Sequence, residues 1–369
     1  MFNWDILIIV PVLLAILIKI VFKGKVTLAE FFIQIGVVSV FVAIALLVTY
    51  QGRTTDKEVW NGQITSKKSL HVSCEHSYRC NCYTTPETCS GSGSSYSCTP
   101  GTTICQTCYD HDYDVDWRIN SSTQESLNID RIDRQGLNMP PRWGKAYVGE
   151  PFSSEHTFTN YILANPDTVM LGSKGDVAKF KKYIPEYPSA VYDYYRHDPV
   201  INMGVPGIDL NVWNWLIRED TKILGPKKQV NIIVLLVPLN DRSYTYALKD
   251  AWVGGKKNDV VIVIGSVDGH TIDFVDILSW TPSSAYKVQL RYRLESIGTL
   301  DQRDAISKAI FEETSATFTR MHMKDMRWLA RSYQPSTEAM LWIFLLALLV
   351  EAGVAFATIK YESERRFWL

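Results

Sequence analysis

Three stretches of this chain are apolar for so long that they dictate where the rest of it can sit. Residues 5–22 read DILIIVPVLLAILIKIVF, residues 28–49 read LAEFFIQIGVVSVFVAIALLVT, and residues 339–359 read AMLWIFLLALLVEAGVAFATI. A helix crossing a bilayer core needs about 20 apolar residues, and each stretch comes close to that. The first has neither the basic start nor the small-residue cleavage site of a signal peptide, so it reads as a third, uncleaved span. The polar remainder is then an insert between the second and third spans.

Basic residues set the orientation. Lys19, Lys23 and Lys25 crowd the short connection between the first two spans, and Lys360, Arg365 and Arg366 follow the third, whereas the start MFNWD carries none. Positive charge stays in the cytoplasm, so the connection and the C-terminal tail lie inside. The N-terminus and residues 51–336 are expected outside, in a periplasmic or lumenal space. Trp4 and Trp342 suit the outer interface and Trp368 the inner one. With 38 basic and 39 acidic residues and a net charge of −1, nothing in the chain points to nucleic acid. The expected partners are the lipid bilayer and other membrane proteins.

All seven cysteines, at 74, 80, 82, 89, 98, 105 and 108, fall in the segment assigned to the exterior. Disulfides persist in such compartments. Between Cys82 and Cys105 the chain is rich in Gly, Ser, Thr and Pro, as a loop is. Its flanks, SLHVSCEHSYRCNCY and TTICQTCYDHDYDVDWRI, have the aromatic and β-branched content of strands. Residues 53–118 are therefore expected to form a cross-linked β module. Cys80, Cys82, Cys105 and Cys108 converge at its neck as one unit, holding either a structural zinc ion or disulfides. His71, His76 and His111 are substitute zinc ligands. In the acidic run, strand alternation puts Asp110, Asp112, Asp114 and Asp116 on one face, read as solvated. Residues 119–165, with Pro140-Pro141 and several glycines, read as a linker or wrapping segment.

From 166 to 336 helices alternate with strands. Residues 209–224 and 243–252 have helical spacing, with Gly225-Pro226 as a stop after the first. Residues 229–239 and 258–267 are buried-strand runs, and Asp268-Gly269 is a hairpin turn into 270–278. Residues 286–294 read as a short strand or extended connector, and 301–332 as one long helix. This order predicts an α/β sandwich around one sheet. In the stretches VNIIVLLV, YALKDAWVGGKKNDVVIVI and HTIDFVDI the chain resembles the TPM domain, over roughly 170–332. A glycine-rich stretch expected after the turn is replaced here by IDFVDI. The resemblance implies a membrane-anchored domain that faces a periplasm or lumen. It further implies either work in assembly of membrane complexes or an acid phosphatase activity.

The expected whole is thus a TPM-like α/β sandwich exterior domain (166–336) plus a small cysteine-rich β module. Three transmembrane helices anchor it, two in 1–52 and one in 337–369. Asp241, Asp259, Asp268, His270, Asp273 and Asp276 gather near strand ends, where ligands of such sheets bind. Yet no P-loop, nucleophile elbow or H-E-x-x-H occurs, so no catalytic residue is named. An interaction or assembly domain is the first reading, and a membrane-tethered, metal-assisted phosphatase the alternative. Within the spans, Glu351, Lys19 and Gln34 lie in the cytoplasmic half and are expected to form a polar clasp, since a charge there needs a partner.

Overall fold

The structure is a computed structural model and describes residues 6–21, 27–90, 97–169 and 177–367. Trp4, Lys23, Lys25, Trp368 and the side chains of Arg365 and Arg366 lie outside the described residues. The first two apolar stretches become helices α1 (Ile6–Val21) and α2 (Leu28–Thr54). Thr27 caps α2: its hydroxyl accepts the Glu30 backbone N–H, and the Glu30 carboxylate accepts that of Thr27. At 27 residues α2 is long and apolar enough to cross a membrane. The 16 residues of α1 rise only about 24 Å.

No linker separates α2 from the fold that follows, because strand β1 (Thr55–Val72) starts at the next residue. Beyond it come β2 (Ser77–Thr84), β3 (Thr88–Ser90), β4 (Ser97–Thr99) and β5 (Thr103–Tyr109). Then follow β6 (Asp114–Ser121), β7 (Ser126–Ile129), the turn of helix α3 (Pro141–Lys145) and β8 (Pro151–Thr159). Strands β7, β6, β1 and β8 form, in that spatial order, one antiparallel sheet. The first half of β1 pairs with β8 and the second half with β6, and the ladder shifts at Ile64. Ile64, Ile119, Ile129, Ala146, Phe152 and Tyr195 close its core. This corrects two expectations. Residues 119–165 are no linker, since they supply two of the four strands, and a boundary at 118 would cut through β6.

Helical turns α4 (Pro166–Val169) and α5 (Val177–Phe180) and strand β9 (Val200–Asn202) lead into the second sheet. Its remaining elements are α6 (Leu210–Lys228), β10 (Asn231–Val237), α7 (Tyr244–Ala251), β11 (Asp259–Gly265) and β12 (Phe274–Leu278). Strands β9, β10 and β11 run parallel, and β12 is antiparallel to β11 at the edge. Every residue of β10 and β11 is buried, as expected of parallel strands covered on both faces. One face carries α6 with α8 (Ser284–Ile297) and α9 (Arg303–Thr317); the other carries α5 and α7.

Four readings change here. Residues 286–294 are helical, because Ser283 caps α8 through the Tyr286 N–H and Tyr286, Leu290 and Leu294 fall at i, i+4, i+8 on the sheet. The expected long helix 301–332 is broken: α9 ends at Thr317 and a 3-10 helix occupies Met323–Ser332. The segment from β11 to β12 is a longer loop than a two-residue hairpin. Helix α6 also runs through Gly225-Pro226 to Lys228. Gly225 is needed there, because a Cβ would stand 2.0 Å from the Asn61 carbonyl oxygen of β1.

That contact belongs to a polar seam joining the two sheets. Asn61 donates to Asn231, and Asn231 donates to Asp259. Asn258 donates to the Val59 carbonyl, and Lys256 pairs with Asp56. The Glu58 carboxylate, wholly buried, meets both Arg320 at 2.7 Å and Lys257 at 3.1 Å. Charges this deep persist only when paired, so the seam holds the sheets in one register.

The chain returns to the apolar layer as α10 (Thr337–Phe367), whose Thr337–Thr358 portion is long and apolar enough to span a membrane. Leu7, Val38, Val42, Met340, Ile343 and Ala347 pack α1, α2 and α10 together. Their outer faces expose Leu13, Ile20, Phe32, Ile44, Leu349 and Phe356. Apolar area that extensive suits lipid rather than water.

Candidate functional site

β2 and β5 form a two-stranded arm that leaves the first sheet between the end of β1 and the start of β6. Neither strand has a core to sit on, and almost all of β2 is exposed. Cross-links substitute for the core. Cys80 joins Cys108 and Cys82 joins Cys105 across the arm, and Cys89 joins Cys98 in the small β3–β4 hairpin beyond it. Sulfurs consumed in pairs leave no thiolate at Cys80, Cys82, Cys105 or Cys108 for zinc. Of the two alternatives at these positions, the structure holds disulfides. Tyr78, Tyr83, Ile104 and Tyr109 project from the arm, each about half exposed or more.

The seventh cysteine stands at the arm's root. Cys74 is buried and forms no disulfide. Its Sγ accepts the His76 backbone N–H at 3.4 Å and lies 3.7 Å from His111 Nδ1. The same nitrogen is 3.4 Å from Asp114 Oδ1. Asp114 is fully buried, which corrects the expected solvated face: the strand begins only at Asp114, so the residues before it do not share its alternation. Its Oδ2 accepts the Glu75 backbone N–H and Arg131 Nη1, each at 3.0 Å, while Oδ1 makes no well-formed hydrogen bond among the described residues. The Glu75 N–H and the Arg131 guanidinium hold this carboxyl below its ordinary range. Asp116 is drawn to Arg131 as well. Around Cys74 and His111, an open cleft is lined by Ser73, Tyr78, Cys108, Tyr109 and Asp112. The other two histidines are engaged elsewhere: His71 stacks on Tyr113, and His76 Nε2 meets the Arg134 carbonyl at 2.8 Å.

The carboxylates near the second sheet serve the fold. Asp241 pairs with Lys179 and accepts from Ser243, which brings its carboxyl down to about 2. Asp268 accepts the His270 and Thr271 N–H groups in its turn and is likewise near 2. Asp273 accepts the Val267 N–H, Asp276 lies 3.8 Å from Arg291, and His270 meets Asp301. Asp259 sits at the opposite, amino end of β11. Burial pushes its carboxyl up to about 6 although Tyr187, Asn231 and Lys256 all donate to it.

Within the apolar layer the three expected clasp residues separate. Gln34 Nε2 donates to Thr358 Oγ1 at 3.1 Å, and Lys19 Nζ lies over the Phe31 ring at 5.0 Å. Glu351 is buried, with neither carboxylate oxygen hydrogen-bonded among the described residues. Thr358 is two helical turns, about 10 Å, further along α10 than Glu351, so Gln34 and Glu351 lie at different depths.

Compared with protein-family models, curated proteins and solved structures, the chain matches none.

Proposed function

We propose that this chain is a membrane-anchored interaction protein. Its α/β domain and first sheet form a rigid body from which the disulfide-stapled arm reaches toward another membrane protein, in assembly of a complex on the extracytoplasmic side. The observation that carries the reading is the arm itself. Strands held by cross-links need no side chains for a core, and Tyr78, Tyr83, Ile104 and Tyr109 are left exposed on it. Tyrosine-rich, rigid surfaces are what protein interfaces use as anchors. The disulfides favour an oxidising compartment, in keeping with the charge distribution around the spans. In this proposal α1 is a third span, packed against α2 and α10, and the second domain is TPM-like.

The test is a photo-crosslinking residue placed at Tyr83 or Ile104 of the full chain in its native membrane. One discrete membrane-protein adduct, lost when the probe is moved to exposed Tyr292 on α8, is the expected result. No adduct at either arm position would sink the reading. Phosphate release from an aryl phosphate by the purified protein would favour the phosphatase instead.

A further inference from the structure

We propose that Cys74, His111 and Asp114 bind one divalent transition ion of the zinc class, with a fourth coordination position open to the cleft at the arm's root. The proposal is independent of the arm's partner.

Zinc held at about 2.3 Å by sulfur and about 2.0–2.1 Å by nitrogen or oxygen sets tetrahedral edges of about 3.5 Å for S–N and about 3.3 Å for N–O. The corresponding separations here are 3.7 Å from Cys74 Sγ to His111 Nδ1 and 3.4 Å from His111 Nδ1 to Asp114 Oδ1. All three donor atoms lie within 4.8 Å of one another. An independent sign is Asp114 Oδ1, which belongs to a side chain with no exposure yet, among the described residues, makes no well-formed hydrogen bond and faces only the Cys74 thiol and the His111 ring. Such an atom is costly unless something else satisfies it. Meanwhile Oδ2 is fixed by Glu75 and Arg131, which turns Oδ1 toward Cys74 and His111 as outer-sphere partners orient metal ligands.

Two ordinary readings fit less well. A catalytic Cys–His–Asp relay needs thiol and carboxylate on opposite ring nitrogens, whereas here both face Nδ1. A simple His111–Asp114 ion pair would satisfy Oδ1, but the contact has no hydrogen-bond geometry. A sulfur, a ring nitrogen and a carboxylate oxygen whose lone pairs face one point describe the surroundings of a cation. One thiolate, one imidazole and one carboxylate select zinc-like ions over calcium or magnesium, which prefer oxygen alone. His111 is about a quarter exposed, on the side that faces the cleft. Three protein ligands and an open side can admit water or a group from a partner as the fourth ligand. The ion would also tie the end of β1 to the start of β6, where the arm is rooted.

The experiment uses the full-length protein in detergent under non-reducing conditions, which keeps the three disulfides closed. It is titrated with Co²⁺ as an optical probe and then with Zn²⁺. The expected result is one equivalent of tetrahedral Co²⁺ with a sulfur-to-cobalt charge-transfer band, displaced by Zn²⁺. Cys74→Ser should abolish that band, and His111→Ala should weaken binding at least tenfold. Because either variant can misfold, the wild-type thiol supplies a second readout. Alkylation of Cys74 should slow at least tenfold with Zn²⁺ and recover with chelator. No charge-transfer band at equimolar Co²⁺, unchanged alkylation with Zn²⁺, or undiminished affinity in a folded His111→Ala protein would each overturn the proposal.

Discussion

The β2–β5 arm and the β10–β11 pair are strands of similar length held together by opposite means. All seven residues of β10 and of β11 are buried, and helices cover both faces. Of the eight residues of β2, only Cys80 is even partly buried, and disulfides do the holding. Burial makes each side chain of the sheet part of the fold and leaves little free for a partner. Cross-linking concentrates stability in a few sulfurs and releases the remaining side chains for recognition. The side chains available to a partner therefore lie on the arm and at its root.

Substitutions can break that contrast, and the largest effect belongs to the buried sheet. Leu235→Ala, in the middle of β10, should destabilise the α/β domain by about 2–5 kcal/mol through the lost burial and the cavity left behind. Tryptophan fluorescence during denaturation reports it, since Trp213 and Trp252 sit in that domain's two cores. Replacing Cys80 and Cys108 together by serine should cost the arm about 2 kcal/mol, because the nested Cys82–Cys105 bridge keeps most of the loop closed and only a short outer loop is released. The same fluorescence transition should stay in place while proteolysis within 77–109 accelerates. A shifted transition would mean that arm and body are not separately stabilised.

Between those extremes lies the seam. Gly225→Ala should cost about 1–3 kcal/mol, because the new methyl would meet the Asn61 backbone and force α6 away from β1. Faster amide exchange in the first half of β1, with β10 and β11 unchanged, would locate the effect. A smaller term depends on pH. Burial raises the Asp220 carboxyl to about 6, and Ser307 donates to it. A carboxyl raised in the folded state holds its proton more tightly there than in the unfolded chain. Stability from this group is thus greatest below about pH 4, falls between about 4 and 6, and is flat above. The fall should be on the order of 1–2 kcal/mol for this half-buried group, and Asp220→Asn should remove it in denaturation curves taken at pH 4 and pH 7. The smallest effect is expected at exposed Tyr83: Tyr83→Ser should change stability by no more than about 0.5 kcal/mol while reducing arm crosslinking.

Local patterns were legible wherever neighbours in sequence decide the outcome. Continuous apolar runs marked α2, α10, β10 and β11: the two strands are buried on both faces and the two helices are apolar on their packed and outer faces alike, so neither needs a particular period. Gly, Ser and Pro marked the loop that the arm encloses. The same reasoning failed where a distant segment supplies the reason. Tyr286, Leu290 and Leu294 look unremarkable until a sheet lies beneath them. Gly225-Pro226 reads as a stop until β1 is seen pressed against Gly225. The polar stretch 119–165 became half of a sheet only because β1 is long enough to pair on both sides.

The candidate site divides along the same line. The amino-acid order alone made the arm a cysteine-bearing excursion between strand-forming flanks and left one of seven cysteines unpaired. It also set the apolar lengths that can cross a bilayer, since hydrophobicity and span length are properties of one continuous segment. Which cysteine stayed free, and what it met, depended on strand register. Register carries Cys74 at the end of β1 beside His111 and Asp114 at the start of β6, across a closed loop of some 40 residues. Pairing of β1 with β6 buries Asp114 and turns a carboxylate that composition assigns to solvent into one facing a thiol and an imidazole. No periodicity encodes that meeting, because its energy comes from contacts that exist only after the sheet has closed.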